Sequence, residues 1–151
     1  MNAEQLDRAL TELQEESVNN GGSFRFQEFS LKGPKKLEDF LQNLSEEVKQ
    51  TSLKIQALGD QISKRIDHWS LYEGPTPLRK ENSTEYDSLK RNFVADLIQF
   101  LHSRELSHVY QVENLASELN AIIESGKDHL NEDFIFKTKH EYYILHLGFS
   151  S

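Results

Sequence analysis

Glu105-Leu106-Ser107-His108 matches the Glu-x-x-His spacing that lets ferritin-like bundles set two metal ligands on one helix face. Such a site needs a second copy of the element and two further carboxylates, and no second Glu-x-x-His occurs in the chain. Glu105 and His108 are therefore expected as a helix-end glutamate and a loop histidine. Among the six histidines, His140 and His146 share strand parity and could lie on one face. Two imidazoles without a third ligand make a weak zinc site. Gly126-Lys127 resembles the end of a phosphate loop, but Ala121 stands where the first glycine belongs and Asp128 where Ser or Thr belongs. Neither Gly-x-Ser-x-Gly nor Gly-x-Gly-x-x-Gly is present. With no cysteine there is no thiol chemistry and no disulfide frame. The expectation is a protein without catalytic residues, metal or cofactor.

Composition narrows the rest. The chain has 151 residues, 36% of them hydrophobic and 28% charged, enough for a single domain with a real core. No run approaches 18 apolar residues, so no membrane span is expected. Residues 1–20 carry five acids and one arginine, which does not read as a secretory signal. The sequons Asn43-Leu44-Ser45 and Asn82-Ser83-Thr84 then carry no weight, and an intracellular protein, cytoplasmic or nuclear and not secreted, is expected. The formal charge of −8 disfavours a nucleic-acid backbone or an anionic membrane surface, where affinity comes from Lys and Arg.

The pattern that dominates the sequence runs from Pro34 to about Tyr72. Leu37, Leu41, Leu44, Val48, Thr51, Ile55, Leu58, Ile62, Arg65 and Trp69 follow at alternating steps of four and three. That is the repeat of a helix burying a narrow seam against other helices. Pro34 suits the first helical position, and Gly74, Pro75 and Pro77 stop the helix. Glycine weakens a helix, so Gly59 is where a bend would fall, but the heptad phase is unbroken there and predicts one continuous rod. At about 1.5 Å per residue that rod would reach roughly 58 Å, against a radius of gyration of about 15 Å for a compact domain of this size. The flanking positions offer no interchain ion pairs: a parallel homodimer would face Glu47 with Ser52 and Lys54 with Gly59. The seam is therefore filled by helices of the same chain or by a protein partner or second copy.

Around the rod the reading places shorter elements. Residues 2–17 predict a helix with Leu6, Ala9, Leu10 and Leu13 on one face, and Phe24 to Leu31 predict a strand with a bulge near Gln27 and Glu28. Residues 84–104 predict a helix apolar over more than half its circumference, and 112–124 a helix carrying Val112, Leu115, Ala116, Leu119, Ile122 and Ile123. Phe134-Ile135-Phe136 and Tyr142 to Leu147 predict two strands, joined near Thr138 to His140 without the Asn-Gly or Asp-Gly of a tight hairpin.

The expected fold is mostly α within the α+β class: a long central helix, three shorter helices and a small antiparallel sheet from 24–31 and 133–147. One domain is expected, with 1–33, 34–73 and 83–151 as its parts. The expected function is a non-catalytic adaptor or assembly subunit, a soluble, acidic helical bundle using a coiled-coil helix. Its partner-binding residues would be Leu41, Val48, Ile55, Leu58, Ile62 and Trp69. The alternative is a winged-helix-like regulatory or nucleic-acid-binding protein built on residues 84–147, with Lys137, Lys139 and His140 on the wing. Six acids between residues 113 and 133 weigh against a nucleic-acid partner.

Overall fold

The computed structural model describes residues 1–29, 50–72, 81–113 and 130–149. In chain order they form α1 (Ala3–Glu15), β1 (Phe24–Phe29), β2 (Gln50–Ser52), a 3₁₀ turn (Ile55–Ala57), α2 (Leu58–Ser70), α3 (Tyr86–Ser103), β3 (His108–Glu113), β4 (Leu130–Lys137) and β5 (Tyr142–Phe149). The five strands make one antiparallel sheet in the order β1-β5-β4-β3-β2. β3, β4 and β5 meander through its centre, and β1 and β2 are added at opposite sides.

The long central helix is overturned. Within residues 34–72, Gln50–Ser52 is a strand paired to β3, with Thr51 opposite Gln111. The Leu53 N–H then donates to the Val109 carbonyl, and one 3₁₀ turn leads into α2, which is only 13 residues long. Residues 34–49, with Leu41 and Val48, lie outside the described residues. The physical reason for the break is visible at Thr51 and Ser52, which are weak helix formers, so the open edge of β3 offers them a better set of backbone partners. Gly59 is the second residue of α2 and does not sit at a mid-rod bend.

Where the pattern is local, the elements form. Asn2 accepts from the Gln5 N–H while the Gln5 side chain accepts from the Asn2 N–H, both at 2.9 Å. This capping box starts α1, whose Leu6, Leu10 and Leu13 face the core. β1 pairs with β5 in one unbroken register from Phe24–Leu147 to Phe29–Tyr142, so the expected bulge is absent. The β4–β5 connection closes without glycine: the Thr138 hydroxyl accepts from the Glu141 N–H at 3.1 Å, and the Thr138 N–H donates to the Glu141 carbonyl. Val112 and Glu113, expected to open a helix, belong to β3, and the rest of that expected helix lies outside the described residues.

α1, α2 and α3 pack on one face of the sheet. Phe24, Phe26, Phe134, Phe136, Tyr143 and Leu145 meet Leu10, Ile62, Ile66, Phe93, Leu97 and Phe100 in a continuous core. The opposite face of the central strands is buried as well, at Val112, Ile135, Ile144 and His146. β4 and β5 therefore each bury six successive residues and do not alternate between core and solvent.

Candidate functional site

The C-terminal half of α2 lies over the start of β4, and one buried acid joins them. Glu132, on the helix face of β4, is 1% exposed. Its Oε1 accepts from Arg65 Nε at 2.7 Å and from Trp69 Nε1 at 3.0 Å, and its Oε2 from Gln111 Nε2 on β3. Arg65 and Trp69 are four residues apart and share one face of α2, which is why a single carboxylate can engage both. With three donors on its two oxygens, this buried carboxylate ties the helix to the sheet.

Above this joint opens a cleft of about 180 Å³, bounded by Arg65, His68, Trp69 and Tyr72 on one side and by Glu113, Leu130, Asn131 and Glu132 on the other. Three rings form its wall. Trp69 and Tyr72 stack at 4.8 Å, and His68 meets both edge-on at 5.6 and 5.4 Å. Tyr72 also leans on Phe149 at 5.2 Å, tying the wall to the end of β5. Leu130 remains 42% exposed at the cleft, and Leu71, next to Tyr72 in the chain, is 57% exposed. These are two of the few large apolar side chains that the described residues leave in water.

A larger trough of about 480 Å³ separates α2 from α3. Asp60 and Asp87 line it together with Lys90 and Arg91, so opposite charges share its walls. Lys90 is already committed, reaching both oxygens of Asp67 at 2.8 and 2.9 Å while the Tyr86 hydroxyl donates to the same carboxylate. That trough reads as a solvated interhelical groove.

The residues predicted from sequence as a partner-binding seam are dispersed. Leu41 and Val48 lie outside the described residues. Leu58 and Ile62 are buried in the chain's own core, Ile55 sits 36% exposed on the 3₁₀ turn, and Trp69 is the one of these four described residues that lines the cleft. Arg65, assigned to the same seam, spends its Nε on Glu132 of the sheet. Glu105 and His108 are not on one helix: Glu105 takes a left-handed backbone (φ 57°) after α3 and pairs with Lys139, and His108 begins β3. His140 lies exposed beside the β4–β5 turn, and His146 is buried against Asp133 at 2.7 Å, so the two do not converge. Among the described residues no three His, Asp or Glu side chains are grouped to hold a metal. The hairpin expected as a wing forms the centre of the sheet, and Gly126-Lys127 lies outside the described residues. Among the described residues, no helix is long and apolar enough to cross a membrane. The Arg65–Glu132–Gln111 joint went unpredicted, because its members are far apart in sequence and no local pattern links them.

Compared with family models, with characterised proteins and with solved structures, the chain finds no match.

Proposed function

We propose that this protein is a non-catalytic interaction subunit that docks a protein partner at the cleft between the end of α2 and the start of β4. The observation that carries this reading is the company kept by Leu130. An exposed leucine, a stacked Trp69–Tyr72 pair and a half-buried arginine surround one small depression. Trp, Tyr and Arg around a pocket are the side chains that dominate binding energy at protein interfaces. The rigidity of the site supports the same reading, because Arg65 and Trp69 are fixed from below by Glu132 and need little ordering on binding. Glu132 is occupied by three donors and serves as a strut in this reading. We take the setting to be intracellular, cytoplasmic or nuclear, in keeping with a chain without cysteine.

The test is reconstitution. A stoichiometric partner that co-purifies with the tagged protein from its own host is produced separately and recombined with wild type and with Leu71→Asp/Leu130→Asp. Both leucines are exposed, so the double variant should keep its melting temperature. The reading expects binding to fall at least about a hundredfold, the loss of two apolar interface anchors. Unchanged affinity in the double variant would remove the cleft as the docking surface.

A further inference from the structure

The cleft has a size and a sign, and together they specify what enters it. This inference rests on the docking surface proposed above and goes on to the chemistry of the partner. A volume of about 180 Å³ is small for a metabolite, since ordinary small-ligand pockets run to roughly 300–1,000 Å³. It suits the head group of one side chain. The lining holds one cation and two carboxylates. Arg65 is compensated at contact distance by Glu132, at 2.7 Å. Glu113 lies across from Glu132 in the β3–β4 register, is exposed, and makes no ion pair among the described residues. Among the described residues, one negative charge is thus left over beside three aromatic rings.

An anion seated on Arg65 would lie next to both carboxylates. A cation would meet Glu113 directly and find ring density at Trp69 and Tyr72, a combination that attracts positive groups. We infer that the cleft receives a basic side chain of the partner, arginine in preference to lysine. A planar guanidinium can stack on the rings and fork to the Glu113 carboxylate at once, which a point-like ammonium cannot. The net charge of −8 acts in the same direction at long range, drawing a basic face toward this chain before contact.

Trp69 is the only tryptophan in the chain, so its emission reports on the cleft alone. The probes are a hexa-arginine peptide and a hexa-glutamate peptide, titrated against wild type, Glu113→Gln and Glu12→Gln. Glu12 is an exposed residue of α1 away from the cleft lining, and its substitution changes the net charge by the same amount. Saturable change of Trp69 emission with hexa-arginine is expected. Glu113→Gln should weaken it about tenfold, as for one charge-assisted contact, and Glu12→Gln less than about twofold. Glu113→Ala provides a second variant, expected to weaken binding as much as Glu113→Gln. No response to hexa-arginine, a response to hexa-glutamate, or equal weakening by Glu113→Gln and Glu12→Gln would each overturn the assignment. If the reconstituted partner still loses binding to Leu71→Asp/Leu130→Asp in those cases, the docking surface stands and only the charge of its occupant is wrong.

Discussion

A methyl group built on Gly22 would overlap the Gly148 carbonyl, where the turn before β1 crosses the end of β5. The same addition at Gly59 would stand 3.7 Å from Val94 and 3.8 Å from Ile98, which is ordinary contact. The two glycines therefore predict opposite outcomes. Gly22→Ala should cost about 1–3 kcal/mol through overpacking against backbone, while Gly59→Ala in the first turn of α2 should gain about 0.5–1 kcal/mol. Urea denaturation of the two variants beside wild type checks both signs. Tyr86 adds a pH dependence. Burial pushes its phenol well above the ordinary value, partly offset by the Ser70 hydroxyl and reinforced by the Asp67 charge. Because folding raises this pKa, the neutral phenol contributes fully below the unfolded value of about pH 10 and that contribution is lost as pH rises further. Melting temperature should fall above about pH 10, and Tyr86→Phe should flatten that limb while costing about 1 kcal/mol at neutral pH for the lost bond to Asp67. An unchanged alkaline limb in Tyr86→Phe would show that other groups control it.

β1 is an edge strand, and α1 closes its outer side with side chains. The Asp7 carboxylate accepts from the Phe26 N–H at 2.7 Å, and the Gln14 amide oxygen accepts from the Phe24 N–H at 3.0 Å. Two side-chain acceptors of α1 thus take two amides of the strand, so the edge offers no free ladder at those positions. Asp7 also holds Arg25 through both carboxylate oxygens, at 3.0 and 3.2 Å from Nε. Asp7→Ala should cost about 2 kcal/mol and leave an amide seeking a partner. Guanidinium unfolding should show the loss, light scattering should show a rise in self-association, and Asp7→Asn, which keeps an acceptor, should show less of both. Elements of this kind were legible in sequence when their pattern was local. The Leu6–Leu10–Leu13 stripe forms a helix face, the Phe24–Phe26 alternation forms a strand, and the helix expected over 84–104 runs Tyr86–Ser103 with Tyr86, Phe93, Leu97, Phe100 and Leu101 buried. Residues 50–58 were not legible. Steps of four and three join Thr51, Ile55 and Leu58 whether they lie on one rod or on a strand, a 3₁₀ turn and a helix. The choice was made by β3, more than 50 residues away in sequence.

For the molecule as a whole, three of the described residues of the expected seam point inward. Leu58, Ile62 and Trp69 help to close the core of an α+β sandwich, and among the described residues Leu71 and Leu130 are large apolar side chains left exposed near the cleft. The sequence flagged Trp69 but could not show the site around it, since the cleft exists only once Glu132 on β4 meets Arg65 on α2. In the proposed reading, an excess of acid over base across the chain sets the sign of the partner, and one joint between helix and sheet sets the place. Hydrogen–deuterium exchange on the complex reconstituted with the purified partner measures that place directly. The account predicts slowed exchange centred on the backbone amides of residues 65–72, Glu113 and 130–132. Protection centred instead on the outer face of α1 or on the α2–α3 trough, with residues 65–72 unchanged, would contradict it.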